Sequence, residues 1–271
     1  EAITLKKWQP TADYLTKKIP GNTFRIVPLD FDEIFKAIDQ SKIDFVICNS
    51  GMYIELEDKY GISRIASMMN RFQGRAFKYF GSAIIRKKTR PDLKELSDLK
   101  GKKFGAVERS SYGGWIMAWY EMTRQGINPK DFFEDIRFLG THDAVVFAVR
   151  NGEVDAGSVR TDELELLESE GKIKMDEFEL IGKRPKTKDF PFVVSTDLYP
   201  EWPIAKLQNT SDELASKIVV ALLTMSIDSP AAIASEIGGW TVPLDYQSIR
   251  NVLKDLRIGP YKDFGRMRAI D

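Results

Sequence analysis

Apolar residues recur at helical spacing in Phe31 to Ala37 and again in Ala144 to Val149, and each time the period shortens within a few residues to a β-prone run. The two stretches align without a gap at an offset of 111 residues: Phe31 to Ser50 (FDEIFKAIDQSKIDFVICNS) and His142 to Thr161 (HDAVVFAVRNGEVDAGSVRT). In both copies an acid (Asp32, Asp143) sits in the first turn, where the helix dipole favours negative charge. A polar or glycine stop follows (Gln40-Ser41, Asn151-Gly152), then an apolar-Asp pair (Ile43-Asp44, Val154-Asp155) and a short strand ending in small polar residues. The pattern predicts an α/β chain of two similar lobes, each built as helix, turn, strand, polar loop, helix. Polar loops at strand ends that open helices line the crevice of an open α/β sheet. Two such crevices facing each other predict a cleft.

The second lobe reads as a strand at Phe104 to Val107, a helix opened by Glu108 to Gly114 and running to about Arg124, a strand at Ile136 to Phe138, and the repeat unit. The first lobe follows the same order with a helix from Thr11 to Lys18 and a strand at Phe24 to Val27, but its counterpart to Phe104–Val107 falls before Glu1, so an upstream strand is expected. Tyr79 to Arg86 and Phe190 to Thr196 read as crossing segments and hinge. The expected division is residues 1–86 with 191–271 as lobe 1 and 87–190 as lobe 2. Helices are expected at Ser211–Ser226, Pro230–Ile237 and Asp245–Arg257, followed by a tail, Tyr261 to Asp271, with little that could pack.

Composition narrows the function classes. Forty basic residues balance forty acidic ones among 271, so no global field draws the chain to nucleic acid, and any anion site is local. No apolar run approaches the ~20 residues of a membrane-spanning helix, and no stretch reads as a signal peptide. Cys48 alone cannot make an internal disulfide, and with His142 as the only histidine no zinc or haem site of ordinary composition can be assembled. No cofactor is expected.

The segment richest in chemistry is Arg109-Ser110-Ser111-Tyr112-Gly113-Gly114. Hydroxyls, helix-start N–H groups and glycines that allow close backbone approach suit an oxyanion, although Ser110 or Ser111 could equally be a simple cap. The loop Ser158 to Asp162 adds Arg160, whose fork suits a tetrahedral anion or a surface ion pair, and Thr161. In the first lobe Asn49, Ser50 and Tyr53 read either as the opposite wall or as a cap and a core tyrosine. His142 beside Asp143 could form a general base, but with no second histidine and no Gly-x-Ser-x-Gly elbow, a donor to a bound anion or a plain first-turn residue is the better reading. Trp115, Trp119 and Cys48 read as core.

In combination, RSSYGGW, GTHDAVVFAVRNGEVDAGSVRTDEL, FPFVVSTDLYPEWP and GWTVPLDYQSIRNVLKDLRIGPY resemble the phosphate/phosphite/phosphonate-type periplasmic binding proteins, and more closely the variant that serves as sensor domain of bacterial membrane histidine kinases, including those of tetrathionate-sensor type. The resemblance runs from Glu1 to about Tyr261. It implies a type II periplasmic-binding-protein fold, two α/β lobes closing over an interlobe ligand, with Ser110, Ser111, Tyr112 and His142 at the anion, Asn49, Ser50 and Tyr53 on the first-lobe wall, and Tyr79 near an aromatic that covers the ligand. Tyr112-Gly113-Gly114 replaces small hydroxyl residues of the transporters, and Arg160 stands where they favour an uncharged or acidic group. An aminoalkyl phosphonate therefore fits poorly, while a smaller or doubly charged oxyanion remains open.

The resemblance further implies a non-catalytic, extracytoplasmic domain of an inner-membrane histidine kinase, anchored through its parent chain, with a phosphate, phosphonate or sulfur oxyanion as ligand. An accessory periplasmic binding protein and a homodimer of the whole kinase belong to the same picture. A transport binding protein is the alternative.

Overall fold

A computed structural model describes residues 1–265 and divides the chain into two compact units, Glu1–Tyr79 with Pro200–Asp271, and Phe80–Tyr199. The end of the expected tail, from residue 266, lies outside the described residues.

The second unit is built on a five-stranded sheet in the order Asp135–Phe138, Lys103–Ala106, Ala156–Arg160, Ser82–Lys87, Phe178–Leu180. The first three strands are parallel, with Phe104 opposite both Ile136 and Ala156, and the last two join antiparallel. Parallel neighbours require crossover segments, here the helical stretch from Tyr112 to Arg124 and the helix His142–Asn151. The inner strands read as continuous apolar or small residues because they are covered on both faces, and Ser82–Ile85 and Ala156–Val159 are buried throughout. Helix His142–Asn151 starts on a Thr141 cap and stops at Gly152, whose φ of 76° is the left-handed conformation that glycine takes without cost. Its Val145, Val146 and Val149 enter one core with Ile85, Val107, Val154 and Val159.

The boundaries expected at 86/87 and 190/191 move outward. Ser82–Lys87 is an inner strand of the second sheet, not a crossing segment. Ser195 donates its N–H to the Ser82 carbonyl at 2.8 Å and accepts from the Ile84 N–H at 2.9 Å, which ties the later segment to the same unit.

The first unit has the sheet order Phe45–Ile47, Pro203–Lys206, Ser63–Phe72, Ile237–Thr241, with Arg75–Phe77 also paired to Ser63–Phe72. Every pairing in it is antiparallel. Helix Phe31–Asp39 opens on a full capping box between Asp30 and Glu33, and Ser50–Tyr60 opens on Asn49. The N-terminal helix runs from Ala2 to Lys18 rather than from Thr11. Trp8, with its ring 6.4 Å from that of Trp240, carries the apolar face across Pro10. The helix expected to reach Ile237 ends at Ala234, because Ile237–Thr241 joins the sheet. No strand forms at Phe24–Val27, and among the described residues Phe45–Ile47 has a strand partner on one side only.

Helix and sheet of the second unit meet at Gly157, where a Cβ would lie 2.6 Å from Val145 Cγ1 and 2.9 Å from the Gly105 carbonyl oxygen. Gly157→Ala should therefore cost about 1–3 kcal/mol, measured as a lower urea midpoint at unchanged m-value. Stability equal to the parent would refute this close approach.

Candidate functional site

The chemistry of the second unit gathers where two strand ends meet two helix starts. Lys103–Ala106 runs into Glu108–Ser111, a turn closed by the Ser111 N–H on the Glu108 carbonyl at 3.1 Å. Ser111 then caps the next helix, its Oγ accepting from the Gly114 N–H at 3.1 Å. The first turn, Tyr112–Ile116, is wound as a π-helix, and its ladder bond from the Ile116 N–H to the Ser111 carbonyl is 3.0 Å. The N–H groups of Tyr112 and Gly113 lie ahead of that bond, at the positive end of the helix.

Only glycine fits this start. A Cβ on Gly113 would stand 2.7 Å from Arg160 Cβ, and one on Gly114 would stand 2.4 Å from Val107 Cγ2. The Ser158 hydroxyl, from the neighbouring strand, donates to the Gly114 carbonyl at 2.7 Å. The structure thus brings Ser111, Tyr112 and Gly113 against the strand end that carries Arg160, Thr161 and, through a hydrogen bond, His142. Ser110 is exposed beside them.

His142 Nδ1 accepts the backbone N–H of Arg160 at 3.1 Å. That bond leaves the neutral imidazole with its proton on Nε2, a donor. Burial, and then the Arg160 cation, lower the His142 pKa from 6.5 to about 4. Asp143 does not form the couple with His142 that a general base would need. Its carboxylate accepts from the Thr141 hydroxyl and the Ala144 N–H, which makes it part of the cap. The Arg160 guanidinium lies 4.6 Å from the centre of the Phe80 ring, and its Nε–H is 3.1 Å from Asp162 Oδ1. The ion pair read as one of the two roles of Arg160 therefore exists, with Asp162 as partner. Thr161 is 2% exposed and its hydroxyl accepts the Gly81 N–H at 3.0 Å, so its side chain holds the backbone of the unit.

Two acids that follow Arg160, Asp162 and Glu163, belong to the same neighbourhood. Asp162 has a φ of 72°, unusual for a residue with a side chain, and it starts the helix Glu163–Ser169. Burial, followed by the nearby Asp162 and Asp143 carboxylates, pushes the Glu163 carboxyl up to about 7. The run of acids after Arg160 was the available signal. Among the described residues no cluster of metal-ligating side chains occurs.

In the first unit Asn49 Oδ1 accepts from the Met52 N–H at 2.8 Å. Ser50 and Tyr53, expected at the ligand, are completely buried. The Ser50 hydroxyl donates to the Pro200 carbonyl at 2.8 Å, and the Tyr53 hydroxyl donates to Glu57 at 2.9 Å and accepts from Arg64 at 3.3 Å. In this structure the hydroxyls of both are engaged by partners within the first unit. Tyr79 is exposed. Cys48 and Trp115 lie in the core as read, and Trp119 stacks on Trp115 at 6.0 Å.

Residues 1–262 match the family described as ABC transporter, phosphonate, periplasmic substrate-binding protein. The chain belongs to this phosphonate-binding family. Within curated proteins it is 31% identical over 261 residues to the tetrathionate sensor histidine kinase TtrS of Salmonella typhimurium, covering 96% of this chain and 42% of that one. The chain thus spans less than half of that kinase's length. Two solved structures share the fold. XAC2383 from Xanthomonas citri bound to ATP has a TM-score of 0.74 at 17% identity, with 96% of each chain covered. PhnD1 from Prochlorococcus marinus in complex with methylphosphonate has a TM-score of 0.70 at 14% identity, with 94% of each covered. The type II periplasmic-binding fold expected from the motifs is the fold of this phosphonate-binding family member.

Two perturbed groups of this domain have opposite pH signatures. His142 stays neutral in the fold while the unfolded chain takes up a proton, so stability is lost as pH falls from 6.5 to about 4. Glu163 keeps its proton in the fold up to about 7 after the unfolded chain has released it near 4.5, so stability is lost as pH rises through that window. The slopes offset where the windows overlap. Glu163→Gln should stabilise the domain by about 1–3 kcal/mol at pH 8, lose that gain below pH ~5, and uncover the acid-side loss due to His142. Melting curves across this pH range, at which variant and parent ran parallel, would contradict the burial of Glu163.

Proposed function

We propose that this chain is the extracytoplasmic ligand-sensing domain of a membrane-anchored histidine kinase, and that it holds a small oxyanion on the wall formed by Ser110, Ser111, Tyr112, Gly113, His142 and Arg160. The observation that carries the reading is the seating of the Gly113 helix start directly on Arg160, with His142 hydrogen-bonded to the backbone of that same arginine. Helix-start N–H groups, a neutral imidazole donor and a guanidinium held by Asp162 make one concerted donor surface for a phosphate, phosphonate or sulfur oxyanion. Thr161 acts behind this wall. Asn49, Ser50, Tyr53 and Tyr79 are the first-unit residues that the reading includes as ligand candidates.

The relation to TtrS over 96% of the chain supports the sensor reading. No described helix is long and apolar enough to cross a membrane. Signalling requires the anion to favour one of two kinase states, and a full switch takes ~5.5 kcal/mol of differential binding. The match of residues 1–262 to a transport-protein family favours a second reading, a substrate-binding protein of a phosphonate-type transporter. Transmembrane and kinase segments encoded after Asp271 decide for the sensor, and a stop codon there decides for transport.

Thermal shift against phosphate, phosphite, methylphosphonate, sulfate, thiosulfate and tetrathionate tests the anion class, because a ligand at a hundred times its Kd adds ~2.7 kcal/mol. One anion of the panel should raise the melting temperature. Ser111→Ala should weaken its binding by about 1–2 kcal/mol and Arg160→Ala by more, read by calorimetry. Unchanged affinity in both variants would remove the proposed wall, and silence across the panel would point to a protein partner.

A further inference from the structure

A groove of about 640 Å³ lies in the first unit between the end of the helix Ala2–Lys18 and one face of a second helix, Asp212–Leu223. Ile218, Ala221 and Leu222 of that second helix turn into the core of the unit. Its other face carries Glu213, Ser216, Lys217, Val220 and Thr224, three or four residues apart and all exposed. Val220 is 65% exposed and Leu223 38%, which makes an apolar step on an otherwise polar face.

Charge is divided along this face. The Tyr14 hydroxyl donates to the Ala221 carbonyl at 2.7 Å and so fixes the N-terminal helix beside the C-terminal half of Asp212–Leu223. Lys18, one turn further on, lines the groove together with Lys217, and none of the lining residues is acidic. The Lys18 ammonium lies 5.7 Å from the centre of the Tyr14 ring and has no carboxylate partner among the described residues. At the other end of the face Glu213 gives one carboxylate oxygen to Lys217 at 2.8 Å, in an exposed pair four residues apart. A foreign acidic helix or an anionic lipid surface would suit Lys18 but be repelled by Glu213.

We propose that this face binds a second copy of the chain, with the two Asp212–Leu223 helices antiparallel across a twofold axis level with Ile218. That rotation sets Ser216 of each copy against Val220 of the other, so a small residue faces a large one twice. It also carries Glu213 to the level of Leu223, the end of the groove at which Lys18 stands. The oxygen of Glu213 that Lys217 leaves free then meets Lys18 of the second copy, and Val220 leaves water. Each Lys217 flanks the axis already paired with its own Glu213. A face that holds both halves of a complementary pattern is what a twofold contact requires. Two 12-residue helices bury less than the roughly 1,200 Å² of a stable complex, so the association is weak in free solution. The inference concerns the first unit alone and is independent of the ligand reading.

Sedimentation equilibrium of this chain tests it. A reversible dimer should appear with a Kd between about 10 μM and 1 mM. Val220→Asp should weaken it at least about tenfold. Lys18→Glu and Glu213→Lys should each weaken it about five- to tenfold, because the contact contains that pair twice. Both reversals in one chain should restore the dimer, which a fault in folding would not allow. A chain that stays monomeric at the highest concentration would overturn the proposal, in favour of a lipid surface if it sediments with phosphatidylglycerol vesicles instead. A dimer indifferent to Val220→Asp, or reversals that add rather than cancel, would overturn it in favour of another face or register.

Discussion

The hydrogen bond from the Arg160 N–H to His142 Nδ1, together with the contact between Arg160 and Gly113, is the joint on which the second unit's chemistry depends. It fastens the end of an inner strand to the starts of two helices that are distant in sequence. A side chain at residue 113 would push the helix start off the strand, and a protonated imidazole could not accept the Arg160 N–H at Nδ1. Helix-start N–H groups and the guanidinium are consequently held together by packing and hydrogen bonding within the protein. Preorganised donors of this kind need little reordering when an anion arrives.

Charge around the joint is arranged in layers. Asp162 engages the Nε–H of Arg160, which limits where the guanidinium can turn, and Glu163, half-buried near the Asp162 and Asp143 carboxylates, is held toward its neutral form near neutral pH. His142 is neutral for the complementary reason, being buried beside a cation. A wall that mixes one arginine with neutral donors suits an oxyanion without the cost of gathering several buried charges of one sign. The same layering speaks against a catalytic His-Asp couple, because Asp143 is used by the helix cap.

Membership of the phosphonate-binding family leaves the ligand open, since function resides in the site and not in the fold. Tyr112-Gly113-Gly114 and Arg160, which the sequence resemblance marked as departures from the transporters, lie at the joint.

Much of the architecture was legible in the sequence, for a physical reason. Helix caps such as Asp30 and Asn49, glycine stops such as Gly152, and the apolar period of His142–Asn151 act over a few residues, so a linear reading finds them, and their repetition 111 residues apart exposes two lobes. Ser111, His142 and Arg160 were legible as residue types at loop positions. Tertiary structure decided the rest, through contacts between residues far apart. Ile237–Thr241 is a strand because Ser63–Phe72 offers it an edge, and Ser82–Lys87 is an inner strand because two others flank it. Phe24–Val27 has strand character in its sequence yet forms no ladder, since a strand exists only with its neighbour. The partners that engage the Ser50 and Tyr53 hydroxyls, Pro200, Glu57 and Arg64, are likewise brought to them only by the fold. Local propensity is carried by the chain itself, whereas burial and partnership belong to residues that only folding brings together.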